Sequence, residues 1–356
     1  MYSKMFNDAR LIYNKMADEE SKDIFRNRLL FSVTNDWKYA RNIVEKYVRG
    51  YYSDKIFTGM DENIKEMHLN TKGKYIIYGA GMFGSQVFHI LQRDGVEVIA
   101  FCDSDSKKQG QKYYGLDIVS PLKLKNYNDT IILLAVWNQS VNIKKNLLNL
   151  GIKESQIMDC FLVENYVDKN QYFDSEIIQF REEEIFLDCG CYDFETSHIF
   201  LQKCPNYKKI ICFEPNEDNQ KVIFKKTEKL PKEKIEVFPF GVWNRKDTLY
   251  FDGSGSSAKV SNIGMEKVEV VSIDEVIKDK ITFIKMDIEG SEMNALRGAV
   301  KTIAKNKPRL AICVYHKPED ILEIPAFILS LVPEYKLYLR HYSNYFATET
   351  VLYAII

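Results

Sequence analysis

Along the chain the apolar positions change period. Over about residues 1–70 they recur three and four apart, as in FRNRLLFSV and WKYARNIVEKYV, which predicts amphipathic helices. From Lys74 the run YIIYGAGMFGSQVFHILQRDG reads as strand, glycine turn and helix, and VEVIAFCDSD as the next strand, the start of a βαβ unit. IILLAVW and a helix over about 139–149 continue the alternation to about residue 165. A second series opens with EIFLDCG. It runs through a helix, strand KIICFEP, a helix, strand KIEVFPFG and a Gly/Ser-containing excursion, then strand ITFIKMD, a helix, strand RLAICVYH and a further helix. Two β runs, YKLYLRHY and ETVLYAII, close the chain.

Strands that alternate with helices predict mostly parallel sheets covered on both faces. The expected fold is α/β, with a helical cap or dimerisation segment over 1–70 and a Rossmann-like domain over 71–170. A second Rossmann-like parallel-sheet domain follows over 175–356, its last two runs close enough to pair antiparallel. Neither an internal repeat nor a low-complexity segment is visible.

Composition narrows the setting. A chain of 356 residues needs more than one core, and its 46% apolar content can build them. A net charge of -1, with no basic stripe interleaved with aromatics, argues against nucleic acid as a partner. The amino terminus has no apolar core of signal-peptide length and no run is long enough to span a bilayer, so a cytoplasmic protein without membrane insertion is expected. The seven cysteines form no CxxC pair and no histidine stands at finger spacing, so they read as reduced, buried small hydrophobes rather than as a disulfide framework or a zinc site.

Charge gathers where the apolar strands end. In open α/β sheets ligands sit outside the carboxyl ends of the strands, and the second series places Asp188, Glu214, Lys285 with Asp287, and His316 at those ends. Each alone has a plain reading as a helix-start charge or a local ion pair; together they predict a cleft. Glu214 ends the second strand 24 residues beyond Gly190, close to the roughly 20 expected for an acid that accepts from ribose hydroxyls. Gly190 allows close backbone approach to a ligand. No phosphate-loop glycines follow it, so a ribose-bearing ligand without a pyrophosphate fits, and S-adenosylmethionine (SAM) is the expected cofactor.

The runs FLDCGCYDFETS, ICFEPN, GSGSSAKVS, VEVVSIDEVI with ITFIKMDIEGSEMNALRGA, and HYSNYFATETVLYAI resemble the FkbM-type SAM-dependent methyltransferases over about residues 180–356. The resemblance implies the seven-stranded class I methyltransferase sheet with an antiparallel final strand. It places Asp188, Gly190 and Cys191 in the first cofactor turn, Glu214 on the ribose, and Asp287, Glu289 and Glu292 along the reaction cleft. Gly241, closing KIEVFPFG, joins the cofactor residues. Phe194 stands where the family pattern usually has a second glycine. Methyl transfer is an in-line displacement that must relieve the nucleophile of a proton. Asp287 or His316 is the expected base, with Lys285 orienting Asp287 or stabilising alkoxide charge. Glu289, His341 and the loop serines Ser256 and Ser257, within a lid over 254–261, are expected on the substrate side. No metal is expected, although Asp287, Glu289 and Glu292 form an alternative magnesium-class set.

In the first series Gly79, Gly81 and Gly84 have G-x-G-x-x-G spacing between strand and helix, and Asp103 ends the next strand. The simple reading is a dinucleotide site such as one for NAD. The continuation AFCDSDSKKQGQKYYGLDIVSPLKL resembles small Rossmann-like modules found beside sugar-modifying enzymes, which implies a nucleotide-sugar binder. The function expected is a SAM-dependent O-methyltransferase acting on a sugar hydroxyl, free as a nucleotide sugar or within a surface polysaccharide. An NAD(P)-dependent oxidoreductase is the alternative, but no Tyr-x-x-x-Lys pair follows the first series to support it. A non-catalytic nucleotide-sugar binder is the other alternative. The amphipathic N-terminal helices suit a homodimer.

Overall fold

The computed structural model describes residues 2–48, 74–93, 95–136, 139–159, 167–252, 259–260, 266–343 and 348–356. Ser256 and Ser257, most of the expected lid, and residues 49–70 of the N-terminal segment lie outside these. The chain gathers into two compact units, the first of residues 44–166 and 343–347, the second of 1–43, 167–342 and 348–356. Among the described residues no helix is long and apolar enough to cross a membrane.

The first unit holds strands β1 (Lys74–Tyr78), β2 (Val98–Cys102), β3 (Lys112–Tyr113), β4 (Leu116–Val119), β5 (Thr130–Leu134) and β6 (Ile157–Asp159). Their order is β3-β4-β2-β1-β5-β6, all parallel except the short β3–β4 pair. Side chains alternate across a strand, so Ile77, Phe101 and Leu133 feed one core while Ile76, Ala100 and Ile132 feed the other. Both faces are buried, which is why these strands read as unbroken apolar runs.

The second unit carries β7 (Ile185–Cys189), β8 (Lys209–Phe213), β9 (Ile235–Phe238), β10 (Gly241–Trp243), β11 (Asp247–Asp252), β12 (Lys259–Val260), β13 (Glu266–Ser272), β14 (Phe283–Met286), β15 (Arg309–Cys313), β16 (Lys336–His341) and β17 (Thr350–Ile355). Seven of them form one sheet in the order β16-β17-β15-β14-β7-β8-β9. β17 alone runs against the direction of the other six, as the resemblance implies. The excursion read as a connection is instead a second sheet, β10-β13-β11-β12. Its strands pair as far apart in the chain as Gly241 and Val270, so no local period announces them. Helices α1 (Tyr2–Lys15) and α2 (Glu19–Thr34) cover the edge strand β16: Ala17 N donates to Leu337 O at 2.8 Å, Leu339 N to Ser21 Oγ at 2.9 Å, and Arg340 pairs with Asp18 at 2.7 Å. An exposed edge invites pairing with another chain, and this covering removes it.

Candidate active site

The parallel order β8-β7-β14 makes the carboxyl ends of β7 and β14 the switch point of the second sheet. Gly190, just past β7, takes φ +79°, and a Cβ there would meet Asp287 O at 2.1 Å. Only glycine lets the two strand ends approach so closely. Gly190 N and Cys191 N donate to Phe213 O at 3.1 and 3.2 Å, tying the turn to β8.

Beneath this turn lies a buried charge pair. Lys285 Nζ sits 3.1 Å from Asp188 Oδ1 and donates to Gly190 O at 2.7 Å, while Ser197 Oγ donates to Asp188 Oδ2 at 2.7 Å. Burial disfavours the ammonium, yet Asp188 and Asp287 outweigh it and raise the Lys285 pKa above the usual lysine range. Lys285 therefore holds the turn in shape; the expectation that it orients Asp287 is corrected, because its nitrogen turns to Asp188 and Gly190. The same register that puts Lys285 opposite Asp188 across β14 and β7 dictates this choice.

Glu214 is buried at the end of β8. Its carboxylate accepts from Tyr192 N at 2.9 Å, Asn216 N at 2.9 Å and Asn219 Nδ2 at 3.2 Å. Burial raises its pKa despite these donors. Phe194 takes φ +71° at the start of the helix Glu195–Lys203 and is 1% exposed. The backbone here demands a left-handed residue, which explains the glycine of the family pattern. In this chain the ring keeps that conformation and packs into the core cluster that includes Phe186 and Phe200.

After β14 the chain turns tightly, Glu289 and Gly290 both left-handed at φ +54° and +88°. Asp287 Oδ2 accepts from Tyr172 Oη at 2.7 Å. His316 stands with Nε2 3.4 Å from Asp287 Oδ1 and 3.6 Å from Glu289 Oε2, and with Nδ1 2.9 Å from Glu292 Oε1 without hydrogen-bond alignment. Burial works against its charge, but Glu292 overcomes this and lifts the imidazole to about 9. Burial, reinforced by the charges of Asp287 and Glu292, lifts Glu289 to about 7. Glu349, left-handed at φ +58° just before β17, accepts from Gln171 Nε2 and, at 3.4 Å, from Tyr315 Oη. Burial, then the charge of Asp287, lifts its carboxyl to about 7.

A cavity of about 570 Å³ joins these groups. Gly190, Cys191, Glu214, Gly241, Lys285, Asp287 and Glu289 all line it, as do Tyr172 and Glu349, which sequence reasoning missed. The second sheet supplies an apolar wall through Val242, Leu249 and Val268. Asp188 does not reach the cavity, being fully buried behind the turn. Glu292 is corrected from the cleft border to a buried position, where it accepts from Ile288 N at 2.9 Å. The alternative ion-binding set is corrected with it: His316, and not Glu292, stands beside Asp287 and Glu289. His341, expected on substrate, is 3% exposed with Nδ1 2.9 Å from Thr350 Oγ1 and lies off the cavity. Its strand β16 is three strands from β14, about 14 Å away at ordinary strand spacing.

The first unit repeats the turn. Gly79 takes φ +116°, and a Cβ there would meet Ala135 O at 2.3 Å, past the end of β5. Gly84 packs the following helix so closely that a Cβ would meet Gly79 O at 1.8 Å, whereas Gly81 has nothing within 4 Å. Asp103 Oδ2 accepts from Ala80 N at 3.0 Å and pairs with Lys108 at 3.0 Å.

Residues 188–340 match the family model of the methyltransferase FkbM domain. Residues 71–158 match the family model of the C2185-like N-terminal domain. The crystal structure of methyltransferase FkbM from Methylobacillus flagellatus KT is similar at 20% identity, covering 91% of this chain and 100% of its own, with a TM-score of 0.51. An rRNA methylase from Streptococcus thermophilus covers 52% of this chain and 92% of its own at 16% identity and a TM-score of 0.32. Fibrillarin of Aeropyrum pernix, solved with natively bound S-adenosyl-L-methionine, covers 50% of this chain and 70% of its own at 8% identity and a TM-score of 0.31. None of the curated proteins matches the chain. The domain match gives the enzyme class: a SAM-dependent methyltransferase, FkbM-like in its second unit.

Proposed function

We propose that the second unit transfers a methyl group from SAM to a hydroxyl of a sugar, carried as a nucleotide-linked sugar or within a polysaccharide under synthesis. One observation carries the reading: Gly190 and Glu214, the groups suited to a nucleoside, share a single cavity with the carboxylates of Asp287, Glu289 and Glu349. Carboxylates accept hydrogen bonds from hydroxyls, and a sugar offers several. Glu214 keeps acceptor capacity beyond its three internal donors, as a ribose diol would need.

A sugar hydroxyl is a weak acid, so its proton must go to a base near its own working pH. Glu289 and Glu349 both line the cavity with carboxyls lifted to about 7, but Glu289 faces His316 at 3.6 Å, which leaves Glu349 for the role. His316 is already charged at neutral pH and lies behind Asp287 and Glu289, so the base role expected of it passes to Glu349. The new O–C bond forms as the S–C bond breaks, leaving S-adenosylhomocysteine (SAH) and a protonated Glu349.

For the first unit we propose a nucleotide-type ligand at Gly79, Gly81 and Gly84, where the helix Met82–Arg93 begins directly after the turn, so that its amino-terminal dipole favours an anionic group. The test is calorimetric titration of SAM and SAH into the full chain, followed by methyl transfer from labelled SAM to a panel of nucleotide sugars. Methylated sugar is the expected product. Cofactor binding with methylation of amines but no hydroxyl in the panel would refute the O-methyl assignment.

A further inference from the structure

Beside the reaction cavity three atoms of metal-ligand type converge. One ligand atom each of Asp287, Glu289 and His316 lies within 4.8 Å of the other two. The His316 side chain is 10% exposed, and its Nε2 has no hydrogen-bond partner although it points between the two carboxylates at 3.4 and 3.6 Å. Those separations exceed the usual N–H···O length of about 2.9 Å. They match the edge of a coordination polyhedron, because two donors each about 2.2 Å from one ion at 90–110° stand about 3.1–3.6 Å apart.

Two of these side chains, Asp287 and His316, are also oriented from behind. Tyr172 Oη occupies Asp287 Oδ2 at 2.7 Å, while Oδ1, which faces the cluster, accepts only a long bond of 3.5 Å from Tyr315 Oη. Glu292 Oε1 lies 2.9 Å from His316 Nδ1 and favours the proton on that nitrogen, so a cation binding at Nε2 displaces only the Nε2 proton. Glu292 is itself fixed by Ile288 N at 2.9 Å. A carboxylate behind a histidine, with the other ring nitrogen facing outward, is the support that metal-ligating imidazoles need.

We propose that Asp287, Glu289 and His316 bind one divalent cation of the Mn²⁺ class, whose remaining positions take the substrate oxygen. Two carboxylates with one imidazole suit Mn²⁺ or Zn²⁺ better than a purely oxygen-seeking ion. Asp287 and Glu289 both line the cavity, so the cation faces the space that the acceptor enters. The role in catalysis rests on the methyl-transfer reading, whereas the site does not. In that role the cation holds the hydroxyl oxygen and makes it more acidic. Its proton passes to Glu349, and the O–C bond forms as the S–C bond breaks.

The test is a titration of Mn²⁺ into the chelator-treated full chain, read by electron paramagnetic resonance, with SAH binding measured in parallel. The expected result is one Mn²⁺ per chain, bound about tenfold or more weakly by Glu289→Gln and by His316→Gln. Glu289 is 44% exposed, so its variant should keep the fold, and circular dichroism checks both. A folded chain that binds SAH but takes up no saturable Mn²⁺ overturns the cation site and leaves methyl transfer standing. Undiminished Mn²⁺ binding in both variants overturns it as well. Variant-sensitive Mn²⁺ binding without SAH binding supports the cation site and removes the methyl-transfer reading.

Discussion

The two units make the same turn and finish it differently. In each, a glycine with positive φ sits at the sheet's switch point against a carbonyl past the neighbouring strand, Gly79 against Ala135 O and Gly190 against Asp287 O. In each, the acid ending the next strand accepts an N–H from that turn, Asp103 from Ala80 and Glu214 from Tyr192. Beyond this they part. The first turn closes its helix onto the strand with Gly84, and its acid carries a half-exposed lysine, Lys108. The second closes with Phe194, buries a Lys285–Asp188 pair beneath, and opens into a carboxylate-lined cavity. A glycine turn with an acid partner is thus a way of joining two strands, and chemistry depends on what neighbouring strands bring to it.

Replacing the two glycines is the strongest way to break the comparison. Gly190→Ala should abolish measurable SAH binding, because its Cβ would meet backbone at 2.1 Å. Gly79→Ala, with a similar clash in the other unit, should leave SAH affinity within about twofold in whatever protein folds. Equal losses in calorimetry would mean that the turns do not act separately. Next come the acids. Glu214→Ala should weaken SAH by about 10–100-fold, the worth of hydrogen bonds to a charged group, and Asp103→Ala should not.

A smaller effect is expected at the residue that departs from the family pattern. Phe194→Gly loses a buried ring, worth about 3–5 kcal/mol, and relieves about 1–2 kcal/mol of left-handed strain. A net loss of about 1–4 kcal/mol in denaturant unfolding is expected, with SAH affinity largely retained. An unchanged or higher stability would show that the ring contributes little to this core.

The mildest test is a pH profile. Glu349 is lifted to about 7 by burial and by Asp287, so the base form appears, and the methylation rate should rise, as pH increases through about 7. Glu349→Gln should lower the rate and remove that limb. The sign for stability is opposite: a raised carboxyl pKa means the folded state binds more protons, so Glu349 weakens the fold as pH rises from the ordinary carboxylate range toward 7.

Much of this site was legible in advance. Strand ends carrying charge pointed to Glu214, Lys285 and Asp287, because in a parallel sheet those ends share one edge, and the family resemblance added Glu289. The same rule extends to Glu349. It precedes a strand rather than following one, but β17 is antiparallel, so its start lies beside the end of β15, with Val351 opposite Cys313. Tyr172 had no such signal, since it reaches Asp287 from 115 residues away and from outside the strand series. The four-stranded sheet was hidden for a related reason: β10 pairs with β13 across a segment whose own pattern reads as a connection.

By itself the sequence determined the two α/β series, the glycine turns, the closing antiparallel pair and the edge where the chemistry gathers. These follow from periods of two and three to four and from φ restrictions that act within a few residues. Only the tertiary structure decided which charge meets which. It gave Lys285 to Asp188, His316 to Glu292, and Tyr172 to Asp287. Buried charges must find partners wherever the fold provides them, and strand register and loop path, rather than nearness in sequence, bring those partners within reach.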